Sequence, residues 1–166
     1  GLWGTSVGGD ETLTSHLSLP ESAYPSQLEK ELSKELKLTF KKGELIALDG
    51  EQDTPVANIE KLSAIASKYA IGRDIHVGDT IIGIKGRVGF EAAAPLIIIK
   101  AHHLLEKHTL SKWQQYQKEQ MGNFYGMLLH EGNYLDEVMR NIEAFLTDTQ
   151  KHVSGDVFVT LHPYRF

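Results

Sequence analysis

The chain has 166 residues, a size that suits one domain with a hydrophobic core. It contains no cysteine, which excludes disulfides, thiolate catalysis and cysteine-ligated zinc and fits a cytoplasmic location. A net charge of −5 argues against a nucleic-acid-binding surface, and no apolar run reaches the roughly 20 residues of a membrane helix. We therefore expect neither nucleic acid nor a membrane as a partner.

The N-terminal part of the chain is polar. Residues 1 to about 35 are rich in Ser, Gly, Thr, Glu and Pro, and they predict an extended arm with one short helix at most, in the charged stretch from Ser26 to Leu36. Such a long arm indicates packing against another domain or subunit, or disorder. Because the chain starts at Gly1 and ends in a strand-like pattern, we expect a fragment of a longer protein, with a processed native terminus as the alternative.

Strand and helix signals alternate in the middle of the chain. Leu36 to Phe40 alternates apolar and polar residues, Lys42-Gly43 offers a turn, and Leu45 to Leu48 resumes the strand, which predicts a hairpin. Thr54 and Pro55 are typical of the first residues of a helix, and Gly72 of its end. The glycine-rich stretch that follows, up to Glu91, is interleaved with β-branched residues and predicts paired strands whose backbone runs close to a neighbour.

The C-terminal half predicts three helices and a strand. One helix begins near Pro95 and runs to about Lys107, a second covers Lys112 to His130, and Asn133 caps a third. A turn at 154–156 leads into the last strand. The pattern predicts an α+β fold, with an antiparallel sheet, helices packed on it and the extended arm. The aromatic residues of the last two helices exceed the needs of a small core and are compatible with subunit packing.

Few residues offer chemistry on spacing alone. His102 and His103 are adjacent, so they point about 100° apart on a helix, and we expect no metal site. No phosphate-binding loop occurs, so the chain itself gives no sign of ATP binding. Ser6 lies in a glycine-rich setting without a local base, and a turn or capping serine is the alternative.

Three charged residues lie at positions that share one face of a strand, namely Lys85, Arg87 and Glu91. Such a set can bind a carboxylate or a zwitterion. The alternative is a row of ion pairs that faces solvent or a subunit.

Several segments carry a family resemblance. Leu2-Trp3-Gly4-Thr5-Ser6 is followed by glycines, Gly72-Arg73 precedes Ile82-Gly83-Ile84-Lys85-Gly86-Arg87-Val88-Gly89-Phe90-Glu91, and an alternating strand follows Gly155. These segments resemble the C-terminal half of argininosuccinate synthase, and the resemblance covers nearly the whole chain.

The resemblance implies a ligase of arginine biosynthesis. It joins citrulline to aspartate while ATP, with Mg, becomes AMP and pyrophosphate. Residues 1–166 correspond to the catalytic and multimerisation domain, which completes the citrulline pocket and builds a homotetramer. The nucleotide-binding half, with its Ser-Gly-Gly-Leu-Asp-Thr-Ser loop and most aspartate contacts, is absent from this chain. We therefore expect the chain alone to be inactive and to contain no catalytic residue.

The family's citrulline-binding positions fall on three residues. The family serine corresponds to Ser6, a glutamate to Gly78 and a tyrosine to Phe90. The last two changes remove a carboxylate and a hydroxyl from the amino-acid end of the substrate. This favours a substrate without a free α-ammonium group, such as an Nα-acylated citrulline. In the alternative, Asp79 supplies the carboxylate after a one-residue shift and ordinary citrulline binds.

The remaining roles follow from this alignment. Phe90 is expected to form a wall of the site, and Lys85, Arg87 and Glu91 to brace it or to contact a neighbouring subunit. A second hypothesis is a binding or oligomerisation module that has lost catalysis. A third, an unrelated α+β protein, requires the glycine-rich motif to be a coincidence.

Overall fold

The computed structural model describes all 166 residues, which form seven strands and four helices. The strands are β1 (Thr5–Val7), β2 (Lys34–Lys41), β3 (Glu44–Leu48), β4 (Glu51–Gln52), β5 (Arg73–Asp79), β6 (Lys85–Glu91) and β7 (Gly155–Leu161). The helices are α1 (Pro55–Ala66), α2 (Ala93–Thr109), α3 (Lys112–His130) and α4 (Glu137–Thr149). The predicted α+β class is confirmed.

The core lies against a four-stranded antiparallel sheet of order β4-β3-β2-β7. Alternate residues of β2, namely Leu36, Leu38 and Phe40, are buried because a strand presents every second side chain to the same face. They pack in one apolar cluster with residues of β7 and of helices α1 and α2, such as Leu62 and Ile97.

A second sheet separates the glycine-rich stretch from this core. Strands β5 and β6 form a hairpin, and β1 adds to the free edge of β6, which gives the antiparallel order β1-β6-β5. The sequence predicted one sheet, whereas the chain forms two. The reason is that β5 and β6 pair only with each other and with β1. The local sequence pattern does not indicate which strands pair over such distances along the chain.

Helix starts follow the capping chemistry, with one correction. The Thr54 side chain accepts a hydrogen bond from Ala57 N–H, and Ser111 forms a reciprocal capping box with Gln114. Helix α4, however, is capped by Asp136 and not by Asn133. Asn133 belongs to the turn that ends α3, where its N–H donates to the carbonyl of Leu128.

The arm forms no helix between Ser26 and Leu36, so the one short helix that the prediction allowed there is absent. Residues 34–36 belong to β2, whose pairing with β7 overrides the charged composition. Before β2 the arm contains strand β1 and two short 3₁₀ turns, at Asp10–Leu13 and Glu21–Ala23. It crosses the β1-β6-β5 sheet of the same chain.

Helix α3 differs from the other helices because none of its residues is buried. It packs on α4 and, more lightly, on α2. None of the helices is long and apolar enough to cross a membrane.

Candidate functional site

The two faces of the β1-β6-β5 sheet differ in their covering. Side chains alternate between faces along β6, so odd-numbered residues from Lys85 to Glu91 share one face and even-numbered residues share the other. The arm lies on the odd-numbered face. The even-numbered face is open to solvent over most of its length, so it is the face that can receive a ligand.

Arg87 fastens the arm to the covered face. Its guanidinium donates to the backbone carbonyls of Glu11 (3.2 Å), Thr14 and Leu17 (3.0 Å). Beside it, a Cβ atom added at Gly89 would lie 2.8 Å from the carbonyl oxygen of Val7. Strand β6 runs so close to β1 and the arm at this position that only glycine fits.

Ser26 is held at both of its backbone groups. Its N–H donates to the carboxylate of Glu91 (3.2 Å), and its carbonyl accepts from the guanidinium of Arg73 (2.6 Å). The same guanidinium pairs with Glu21 at 2.8 Å, and this hydrogen bond lowers the pKa of the Glu21 carboxyl. Of the predicted supporting residues, Arg87 and Glu91 therefore contact the chain's own arm.

The open face carries a row of three residues, one from each strand. Ser6 lies opposite Phe90 on β1, and Asp74 lies opposite Phe90 on β5. Directly opposed residues in antiparallel strands have Cβ atoms about 4.5–5.5 Å apart on the same face. The predicted residues Ser6 and Phe90 are thus brought together, and Asp74 joins them.

Gly78 lies on the same face but farther along the hairpin. It pairs with Gly86, four residues from Phe90, which corresponds to about 13 Å along a strand. A Cβ atom added at Gly78 would lie 2.6 Å from Nε2 of His76. The imidazole therefore occupies the space in which a side chain at position 78 would begin.

Asp79 lies on the opposite face from Gly78 because successive residues of a strand alternate. Its carboxylate pairs with the ammonium group of Lys85, its cross-strand neighbour. Asp79 also borders the pocket beside Gly78. A role for Asp79 in place of a carboxylate at position 78 would require this ion pair to open.

Two polar residues of the open face, Asp74 and His76, are absent from the sequence-based set of candidates. The signal that points to them is their even spacing from Gly78, which places all three on one face once β5 is recognised as a strand. The path of the arm determines which face of the sheet is open.

A second polar cluster lies away from this sheet, between α2, α3 and the end of α4. Glu106 is almost completely buried and accepts hydrogen bonds from Lys118 (2.9 Å and 3.2 Å) and from the amide of Gln150 (2.9 Å), while His102 lies 3.3 Å away. Burial raises the pKa of this carboxyl, but the hydrogen bonds from His102, Lys118 and Gln150 outweigh it and bring the pKa to about 2. The cluster joins three helices.

Comparison with known proteins identifies the family of the chain. The family model for the Arginosuccinate synthase C-terminal domain matches residues 2–165. The chain belongs to the argininosuccinate synthase family. A curated argininosuccinate synthase from Dictyoglomus turgidum is 35% identical over 99% of this chain, and one from Methanocaldococcus jannaschii is 32% identical over 96%. A third, from Xanthomonas campestris pv. campestris, is 36% identical over 83% of the chain.

The chain spans less than half the length of each of these argininosuccinate synthases. It covers 42% of the length of the Dictyoglomus protein, 41% of the Methanocaldococcus protein and 34% of the Xanthomonas protein. The matched part includes the arm, both sheets and all four helices.

Proposed function

We propose that this chain is the C-terminal part of a ligase that joins a citrulline-type substrate to aspartate, with ATP going to AMP and pyrophosphate. The observation that carries the proposal is the open row of Ser6, Phe90 and Asp74 in a chain that matches the family over its whole length. ATP and Mg would bind mainly to the part of the enzyme outside this chain. We place the enzyme in the cytoplasm, in arginine biosynthesis.

The chain's contribution to the reaction is positioning. In the family's reaction the ureido oxygen of citrulline is adenylated, and the aspartate amine then displaces AMP. No covalent enzyme nucleophile is needed, so holding the ureido end in line with the nucleotide supplies the advantage. Ser6 would orient the substrate through its hydroxyl and Phe90 would form an apolar wall beside it.

We infer that the substrate is an Nα-acylated citrulline. A carboxylate that pairs with an α-ammonium group is a strong, specific contact, and Gly78 offers none. Phe90 likewise lacks a hydroxyl. The ion pair of Asp79 with Lys85 supports this inference because it engages the nearest alternative carboxylate.

A second candidate substrate, free citrulline, is favoured by one observation. The carboxylate of Asp74 lies on the open face directly across from Phe90 and is exposed. In this candidate Asp74 takes the α-ammonium group at the other end of the row. An Asp74→Asn variant would then lose activity with free citrulline, whereas activity with an acylated substrate would change little.

The test is pyrophosphate release by the full-length enzyme with ATP and aspartate. Citrulline, Nα-acetylcitrulline and Nα-succinylcitrulline are compared as the third substrate. Turnover confined to acylated forms supports the acylated substrate, and turnover with citrulline alone supports the second candidate. Silence with all three would favour a non-catalytic binding or oligomerisation module derived from the family.

We also propose that the protein is a homo-oligomer, a tetramer as the family resemblance implies. Support comes from α3, on which four large apolar side chains are exposed by roughly half or more: Trp113, Tyr116, Phe124 and Met127. Large apolar side chains exposed on one helix are typical of protein–protein contacts.

A further inference from the structure

A shallow groove lies beside Gly78 on the open face, between the β5–β6 hairpin and the end of α3. Its wall combines apolar side chains with two imidazoles, and the side chains concerned are His76, Ile81, Ile82, Val88 and His130. The groove lies next to the row of Ser6, Phe90 and Asp74 on the same face, because His76 pairs with Val88, two residues from Phe90.

The polar side chains that remain available in the groove suit an anion. The charged residues that border it are Asp79 and Arg87, and both are engaged elsewhere: Asp79 with Lys85, and Arg87 with carbonyls of the arm. What remains for a ligand is the imidazole of His76 and that of His130. Each can donate a hydrogen bond to a carboxylate, and protonation strengthens that bond.

The position of His76 fits a particular part of the ligand. Its imidazole covers Gly78, the position from which a glutamate side chain would extend toward an α-ammonium group, so a donor takes the place of the expected acceptor. The span of about 13 Å between Phe90 and Gly78 exceeds a single polar contact and leaves room for an acyl chain. The isoleucines of the hairpin tip offer apolar contact for its methylene groups.

We propose that this groove binds the terminal carboxylate of a dicarboxylic Nα-acyl group, with His76 as the specificity-determining residue and His130 as a second donor. The proposal rests on the function proposed above and narrows its substrate class. The preferred substrate is then an Nα-acylcitrulline whose acyl group ends in a carboxylate. A plain acetyl group does not reach the imidazoles.

The experiment compares Nα-succinylcitrulline with Nα-acetylcitrulline in the full-length enzyme, with kcat/KM as the readout. We expect a preference for the succinyl form of roughly ten- to a hundredfold, the range of one hydrogen bond to a charged group. His76→Ala should abolish most of the preference by lowering kcat/KM for the succinyl form alone. His76→Gln, which keeps a donor, should retain part of it, and His76→Glu should reverse it.

The matched control is His108→Ala, which removes an exposed histidine of α2 outside the groove and should leave the preference intact. Equal kcat/KM for the two acyl forms in the unaltered enzyme would overturn the proposal and leave the ligase in place. An unchanged preference in both His76→Ala and the His76→Ala, His130→Ala double variant would also overturn it. Turnover of free citrulline alone overturns the proposal, and silence with every substrate overturns it together with the proposed function.

Discussion

At the scale of single residues, the proposed substrate specificity depends on Gly78 and Phe90. Adding a side chain at Gly78 displaces only the tip of the His76 imidazole, the end of a flexible, exposed side chain. We predict that a Gly78→Glu, Phe90→Tyr double variant of the full-length enzyme folds normally and shifts its preference toward free citrulline. The new carboxylate pairs with the α-ammonium group, and one charge-assisted contact amounts to about tenfold or more in relative kcat/KM.

The control for this double variant is Gln52→Glu. It adds the same charge at an exposed position of the short strand β4, on the other sheet. Pyrophosphate release with free and acylated citrulline, measured side by side, gives the ratio. If the double variant keeps the ratio of the unaltered enzyme, positions 78 and 90 do not determine substrate choice.

The family resemblance predicted Ser6, Gly78 and Phe90 as substrate-binding positions, but it did not predict which of them are neighbours. Ser6 and Phe90 come from segments more than 80 positions apart, and only the β1–β6 register makes them direct partners. Asp74 and His76 were missed for the same reason. The possible role of a side chain in a strand depends on the face of the sheet that it occupies. Neither composition nor spacing predicts which face is covered.

At the scale of elements, the arm depends on a few side chains of β5 and β6. Arg87 alone reaches three backbone carbonyls of the arm. We predict that Arg87→Ala releases residues around 10–19, because the sheet beneath offers them little else that is polar. Hydrogen exchange of these amides should then become faster, while amides of β2 and β7 keep their protection.

A matched control exists on the same strand face. Lys85→Ala removes a cation two residues away, whose partner Asp79 is exposed and lies outside the arm. Exchange in the arm should remain slow in this variant. Equal acceleration in both variants would mean that general charge on the face, and not the guanidinium contacts of Arg87, holds the arm.

Helices α2, α3 and α4 meet at Glu106, and this contact predicts a pH dependence. The pKa of its carboxyl is about 2 in the folded chain against an ordinary 4.5, so the unfolded chain binds the proton more tightly. The associated stability is complete above about pH 4.5 and disappears as the pH falls toward about 2. Its size is on the order of 3 kcal/mol, since each pKa unit corresponds to about 1.4 kcal/mol.

Urea unfolding between pH 7 and pH 2 measures this effect. Glu106→Gln should unfold more easily at pH 7, because the ammonium of Lys118 then lacks its buried partner. The difference from the unaltered chain should shrink as the pH falls through the window of about 4.5 to 2. A difference that stays constant over the whole range would assign the loss to packing and not to charge.

Patterning predicted most of the elements but not their supporting contacts. The alternation of β2 and the cap Thr54 are local signals, and they hold in the structure. The start of α4 was misplaced because Asn133 and Asp136 both suit a cap, and the choice depends on how the turn after α3 closes. The arm was misjudged because its contacts are long-range hydrogen bonds to Arg73, Arg87 and Glu91.

At the scale of the whole molecule, apolar surface is distributed unevenly. The core lies between the four-stranded sheet and helices α1 and α2, whereas α3 buries none of its residues. Sequence periodicity correctly assigned α3 as a helix with an aromatic side. It gave no measure of how much of that side the chain itself covers, since coverage depends on where α4 and α2 lie.

The exposed side of α3 leads to a prediction about assembly. Trp113 is 68% exposed and Tyr116 57%, with Phe124 close to half exposed on the same helix. Burial of such side chains against a second copy removes a large apolar area from water, at about 25 cal/mol per Å². We predict that the chain forms oligomers in solution and that a Tyr116→Glu, Phe124→Glu double variant is monomeric, as measured by light scattering after size exclusion.

The control for assembly is Leu32→Glu, which replaces an apolar side chain that is 86% exposed in the arm, away from α3. It matches the change of an exposed apolar residue to a charge but leaves the α3 surface intact, so the oligomer should persist. Circular dichroism should be the same for all variants, because none of the substituted side chains is buried. An unaltered chain that stays monomeric at high micromolar concentration, or a double variant that assembles as before, would contradict the prediction that this surface forms the oligomer contact. The aromatic residues of α3 would then be available for contact with the nucleotide-binding half.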